Sequence, residues 1–438
     1  MRRVSLLLLT ALLCAGLLAG CGTETTSSGG GTAPDSSDNG FSYEVVDLEK
    51  KVIKIGGFGD EYDIEAWDAI AEEFNCSFQY VLMDNLNFMQ ELATAASAGS
   101  VYANLIYMGN YSSPQFYLSG LAADVSKIES LKYDTLPWDS FITETNTIGG
   151  VPYAVAYDKS SYNMHLLTFN KTLADQLGIE NLYDAVRNGT WTFEKFEQVS
   201  QKAVDSTNGA TLGMIPGSLS PHCYGYANGS AAVTKDAEGK YRFTGTDDAF
   251  LSGLQFIRDY RQKGLIRTDV VGNDWGITES RSFMNREELF HEGEIWVAKD
   301  IFSAYMEDDF GLLPLPKGPD AEKCVGIIYD QSHFSFLDGD PDIENVAKLL
   351  VAFASKNAKD LSQLLEEEYA PVLRDDDSLE MLRLMYENPV NSSFDTSFLG
   401  SGFTDAIMDS TQRMSKTPKE SMDGISPLMQ AILDDNLN

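Results

Sequence analysis

Beyond Gly40 the chain continues for about 400 residues, more than one apolar core usually supports, and no stretch of it is apolar for long enough to cross a membrane. Two lobes are therefore expected in place of a single globule. Strand, loop and helix patterns alternate along this body. Residues 51–55 alternate as a short strand, glycines 56, 57 and 59 break it, and Ile64, Trp67, Ile70, Ala71 and Phe74 follow at the spacing of an amphipathic helix. Residues 105–108 form a second apolar strand that runs into the turn 109–114. Residues 325–329 read as another, followed by a helix with Val346, Leu349, Leu350 and Phe353 on one face. Such recurrence indicates an α/β fold. Thr192 is placed to cap a helix carrying Phe193, Phe196, Val199 and Ala203, with Trp191 and Phe196 positioned as a hydrophobic staple. A helix with Leu251, Leu254 and Ile257 inward closes on Arg258, Arg261 and Lys263, with Gly264 beyond. The proline-rich, apolar segment 310–319 reads as a packed crossing between lobes, and the last seventy or so residues as several helices.

The first forty residues are of another kind. Arg2 and Arg3 precede an apolar run over 4–18 and then Leu18-Ala19-Gly20-Cys21. The run is short of the ~20 residues that span a bilayer and ends in small residues, so 1–20 are expected to be a cleaved secretory signal. A cysteine directly after Leu-Ala-Gly resembles the bacterial lipoprotein pattern, which implies that Cys21 carries lipid and holds the chain on the extracytoplasmic face of a bacterial cell membrane. Residues 21–40 are dominated by Ser, Thr, Gly and Asp. Such a tract cannot bury a core and serves as a flexible linker, with a mean reach of roughly 25 Å for about nineteen residues.

The formal charge of −34 argues against a nucleic-acid partner, whose phosphates it would repel. With Cys14 in the signal and Cys21 lipidated, the body keeps Cys76, Cys223 and Cys324. Three thiols form at most one disulfide, and these lie far apart without metal-ligand spacing, so buried free thiols are expected. No nucleophile elbow, phosphate-binding loop, zinc-binding His pair or complete dinucleotide fingerprint occurs, and no catalytic residue, cofactor or metal is expected. Asp338, Asp340, Asp342 and Glu344 alternate like calcium ligands, but Pro341 and Ile343 break the required turn and Leu349 occupies the place of the bidentate Glu. Helix capping by Asp340, with Pro341 in the first turn, explains them better. The glycine run 56–59 is read as a tight strand-to-helix turn.

Taken in order, several of these motifs resemble the extracellular solute-binding proteins of carbohydrate ABC importers, family 1, the maltose-binding type. Residues 291–297, preceded by Leu289 and Phe290, are similar to that family's Phe-x-x-Gly-x-x-Ala-Met signature helix, with Trp296 at the methionine position. Residues 149–155, Phe169-Asn170-Lys171, the Trp191 to Glu194 helix start, residues 263–266 and a strand over 314–318 also match, covering nearly the whole body. The resemblance implies a type II periplasmic-binding-protein fold of two discontinuous α/β lobes closing on a ligand. Lobe 1 is expected over 41–157 and 317–365, lobe 2 over 158–316 and 366–438, with crossings near 155–160, 314–317 and 361–370.

It also implies a lipid-anchored, monomeric binding protein that captures a carbohydrate and hands it to permease subunits. Sugar recognition needs flat apolar faces for the ring and carboxylates or amides for its hydroxyls. By position against the family, the ligand-binding candidates are Asp60, Glu61, Met108, Asn110, Tyr111, Tyr157, Asp158, His222, Tyr224, Trp275, Asp300, Phe302 and Tyr329. A cell-surface glycan hydrolase, or a sensor or adhesin on the same fold, are the competing expectations.

Overall fold

The computed structural model describes residues 35–36, 39–58, 64–84, 87–109, 113–216, 220–268 and 277–438, the side chains of 35, 36 and 64–66 excepted. Two sheets organise them. The smaller has four strands in the order His333–Phe336, Leu105–Met108, Lys51–Gly57, Cys76–Leu82. Lys51–Gly57 runs parallel to both neighbours, which requires crossover connections, and the helix Ile64–Glu73 supplies the first. Its buried Trp67 lies face to face with Phe353 of the helix Ile343–Asn357, ring centroids 4.0 Å apart. Both helices thus cover one face of this sheet. Removing such a buried indole costs about 3–5 kcal/mol.

The larger sheet has the order Pro389–Asn391, Gly326–Gln331, Tyr162–Asn170, Glu288–Glu294, Leu212–Pro216, and Phe310–Leu313 pairs with the far half of Tyr162–Asn170. Tyr162–Asn170 is buried along almost its whole length, as a central strand covered on both faces must be. The polar residues it shares with Glu288–Glu294 are matched to each other: His165 Nε2 lies 2.8 Å from Glu292 Oε1, and the Tyr224 hydroxyl donates to Glu292 Oε2 at 3.2 Å. The expected signature helix therefore starts later than its motif. Residues through Glu294 are strand, and helical turns begin at Ile295.

Local expectations near Trp191 hold. Thr192 Oγ1 accepts from the Lys195 N–H at 3.3 Å, and the Trp191 and Phe196 rings meet edge-on at 5.8 Å. The cap of the helix Ile343–Asn357 lies two residues beyond the expected one. The Asp340 carboxylate instead accepts from the Asp342 N–H at 2.9 Å and the Asn104 amide at 2.8 Å, and Asp342 is the cap residue. Cys76, Cys223 and Cys324 are free thiols, Cys76 half-buried and the other two buried.

The chain passes between the sheets three times. First, Val155 exchanges two backbone hydrogen bonds with Phe334 of the smaller sheet, and Tyr162 opens the central strand of the larger one. Second, Gln331 ends a strand of the larger sheet and His333 begins one of the smaller, with Ser332 alone between them. Third, residues 358–360 lead from the helix Ile343–Asn357 to residues held against the larger sheet's helices, where the Tyr369 and Tyr386 hydroxyls lie 2.8 Å apart. Residues 314–317 are not a passage. The Trp191 indole donates to the Pro314 carbonyl at 2.9 Å, and Lys317 exchanges backbone bonds with Trp191 and Phe193, so this segment stays with the larger sheet. Residue 317 is an isolated bridge partner of Thr192 and not part of a strand.

The folded body begins before residue 41. The Asn39 amide donates to the carbonyls of Ser355 and Ala358, both at 3.1 Å, and Phe41 is buried against Trp138, so the expected linker is shorter at this end than 21–40. The signal segment and Cys21 lie outside the described residues. Among the described residues no helix is long and apolar enough to cross a membrane.

Candidate functional site

Side chains from the smaller-sheet half also meet side chains from the larger-sheet half along a seam. Ser113, Tyr117, Thr145 and Asn146 stand on one side; Tyr226, Tyr241, Asn391, Phe394, Asp395, Ser397 and Phe398 stand on the other. The seam is nearly closed beside Tyr117 and Asn391, where about 10 Å³ remains. It widens to about 220 Å³ between Glu144 and Thr145 and the Tyr241–Phe394 pair.

Aromatic rings dominate both banks. Tyr117 stacks on Tyr153 at 5.0 Å and 12°, donates to Asn146 Oδ1 at 3.0 Å and meets His333 Nε2 at 2.7 Å. Across from it, Phe394 lies parallel to Tyr241 at 5.6 Å and 12°, and against Phe398 at 4.5 Å. Phe394 and Phe398 share a face because they are four residues apart on one helix, Ser393–Thr411. Asn391 sits just before that helix. Its Oδ1 accepts from the N–H groups of Ser393 and Phe394, at 2.9 and 3.2 Å, which turns its amide nitrogen away from the helix. That nitrogen and the Ser397 hydroxyl are buried without a hydrogen-bond partner. A buried donor left so costs about 1–3 kcal/mol.

Beneath the rings, Asp395 is buried and accepts from the Tyr226 hydroxyl and from the Ala232 N–H, the latter at 3.0 Å. Burial pushes its carboxyl up to about 7. His222 lies 6.4 Å from Tyr226 and Phe403, ring to ring; burial holds its imidazole down to about 3, so the ring is neutral, and its Nε2 has no partner.

A larger cavity of about 570 Å³ lies at the passages, bordered by Asp139, Tyr157, Asp158, Lys159 and Lys359. Its carboxylates are already engaged. Asp158 accepts from the N–H groups of Ser160 and Lys359, each at 2.9 Å, and so ties the first passage to the third; Asp139 accepts from the Tyr162 hydroxyl at 2.7 Å and the Ile142 N–H at 3.0 Å. These ties make it a joint between the two halves, whereas the seam has donors to spare.

The candidates read from sequence fall in different places. Asp60, Glu61, Asn110, Tyr111 and Trp275 lie outside the described residues. Tyr157 and Asp158 belong to the passages, where Tyr157 packs on Phe334 and Phe353 and burial raises both groups. His222 adjoins the seam. Tyr329 is half-buried with its ring 5.7 Å from His165, and Asp300 is exposed. Met108, Tyr224 and Phe302 are core residues: Met108 pairs with His333 on a strand buried on both faces, Tyr224 packs between Phe193 and Phe256, and Phe302 packs against Phe283 and His291. The seam residues Tyr117, Tyr241, Asn391, Phe394 and Ser397 were not among the sequence candidates. The one signal for them is Phe394-x-x-Ser397-Phe398, aromatic rings four apart with a hydroxyl between.

No protein-family model matches the chain, and no curated protein matches it in sequence. Solved structures do match. The sugar-binding protein MalE from Xanthomonas citri superposes with a TM-score of 0.67 at 14% identity, over 88% of this chain and 98% of that one. An ABC substrate-binding protein from Listeria monocytogenes in complex with cycloalternan gives 0.64 at 13%, over 88% and 99%. UgpB from Mycobacterium tuberculosis in complex with glycerophosphocholine gives 0.62 at 17%, over 85% and 95%. At such identities the likeness establishes architecture: the chain has the α/β, two-lobed type II periplasmic-binding-protein fold.

Proposed function

We propose that this chain is the solute-binding component of an ABC importer, which takes up a carbohydrate, an oligosaccharide in our reading, in the seam and passes it unaltered to membrane permease subunits. The observation that carries this is the seam itself, with stacked rings on both banks and the Asn391 amide and Ser397 hydroxyl buried without partners. Ring faces suit the C–H surface of a sugar, and spare donors suit its hydroxyls. MalE and the cycloalternan-binding protein, both of like fold, add support. UgpB points to a phosphodiester, but the basic side chain bordering the described seam is Lys235, which lies over the Tyr241 ring, while Glu144 and Asp395 are acidic.

In this reading lobe 1 comprises 39–157 and 333–358, lobe 2 comprises 158–332 and 359–438, and the three passages form the hinge. Ligand bound to both banks shifts the open–closed equilibrium, and the permease recognises the closed form. Cys21 bears the lipid, residues 1–20 are removed, and the protein works as a monomer on the extracytoplasmic face of the membrane. Titration calorimetry against a glycan panel, with glycerophosphocholine included, tests the proposal. A glycan that binds and is recovered intact is expected. Binding of glycerophosphocholine alone, or hydrolysis of the glycan, would overturn it.

A further inference from the structure

One bank of the seam is a two-stranded hairpin, Val233–Lys235 with Tyr241–Phe243. Two strands alone are marginally stable in water, and among the described residues the outer edge of Tyr241–Phe243 has no third strand beside it. Three side chains four residues apart near the end of the helix Pro418–Asn436 and just past it take that place. Asn438 accepts from the Tyr241 N–H at 2.7 Å and donates to the Tyr241 carbonyl at 2.9 Å. Gln430 accepts from the Phe243 N–H at 3.0 Å and donates to the same Tyr241 carbonyl at 3.2 Å. Between them Asp434 accepts from both amides, at 3.0 Å from Gln430 and 2.8 Å from Asn438. A carboxylate accepts only, so it obliges each amide to turn a nitrogen toward it and leaves each oxygen for the hairpin.

We propose that Gln430, Asp434 and Asn438 are positioning residues that act as a side-chain third strand and set the Tyr241 ring in the seam, an inference that rests on the seam being the ligand site. The ring they hold is the one that stacks on Phe394, lies under Lys235 at 4.8 Å and donates across the seam to the Thr147 carbonyl at 3.4 Å. Its backbone is fixed on one side by the hairpin and on the other by the two amides, so the hydroxyl reaches the opposite bank in a set direction. Through it the helix Pro418–Asn436, which itself does not border the seam cavities, governs the shape of the seam.

The test uses the full chain with Gln430→Ala/Asn438→Ala, and separately Asp434→Ala, which removes only the exposed orienting carboxylate. Lys419→Ala, on the same helix, is the control. Hydrogen exchange at the Tyr241 and Phe243 amides is expected to quicken by about tenfold or more in the first variant and by less in the second, with the control unchanged. The ¹⁹F resonance of 3-fluorotyrosine at position 241, recorded without any sugar, is expected to broaden or split. Unchanged exchange overturns the proposal, and so does faster exchange with an unchanged ring resonance, which would make the amides an edge cover and nothing more. Maltotriose is the affinity probe, and tighter binding by the native chain than by the variants supports the positioning role. Failure of the native chain to bind any member of the glycan panel would count against the carbohydrate reading alone, since the exchange and ¹⁹F results decide the inference without it.

Discussion

The two halves of the body touch in two places, at the passages and along the seam, and these are finished to different degrees. At the passages Asp158 binds the first crossing to the third, and Asp139 is held by the first residue of the larger sheet's central strand. Along the seam the Asn391 amide, the Ser397 hydroxyl and His222 Nε2 have no partner; beside the passages Ser161, the Gln331 amide and His333 Nδ1 have none either, so the contrast lies in the carboxylates that tie the passages and the spare donors that border the seam cavities. The passages are joined by a carboxylate bonded to backbone N–H groups of two crossings. In the proposed reading the seam's open donors are met only when a ligand arrives, and the cost of each is recovered then.

That contrast can be broken or sharpened by experiment. The largest effect is expected from Asp395, the buried carboxylate of the seam. With its native value near 7 against an ordinary 3.8, it holds its proton between pH 4 and 7 while the unfolded chain gives its own up. The stability from that proton is present below pH 4 and lost as pH rises toward 7, by up to about 4 kcal/mol. Asp395→Asn should therefore gain on the native chain over this range in urea midpoints, and parallel profiles would remove the case for a protonated seam. His222, His291 and His333, each held down to about 3 by burial, pull the other way in both proteins and cancel in the difference.

Next in size, Asp158→Ala strips the acceptor from two backbone N–H groups at the hinge and should cost about 2–3 kcal/mol of stability. Calorimetry should find its glycan affinity within a few-fold of native, and a collapse of affinity with intact stability would reverse the roles assigned to the two places. Phe394→Ala should do the opposite, weakening glycan binding by roughly thirtyfold, about 2 kcal/mol, with a smaller change in melting temperature. The smallest and cleanest is Asn391→Asp, which keeps the oxygen that caps the Phe394 helix and removes only the spare donor. Affinity should fall about tenfold with stability within about 0.5 kcal/mol of native, and equal affinity would show that the orphan amide faces nothing.

The contrast also explains what the sequence disclosed. The strands read over 51–55 and 105–108, the helix with Trp67 and the Trp191 staple were legible because each is written in a few consecutive residues with one period, though the first strand runs on through Gly57. The passage at Ser332 was not, since a single serine between two apolar strands carries no mark, and the prolines of 314–317 mimic a crossing while lying flat against Trp191. The seam was harder still. Tyr117, Tyr241 and Phe394 are more than a hundred residues apart, and only tertiary folding brings their banks together. Position within a resembling family put Met108, Tyr224 and Phe302 in the site, where strand alternation and helix packing put them in the core.

Asn39 gives the body a handle. Its amide grips the last turn of the helix Ile343–Asn357 and the first residue of the third passage. In the anchored, hinged reading proposed above, load would enter beside the pivot, where the lever arm is short, and would leave the two banks of the seam free to swing.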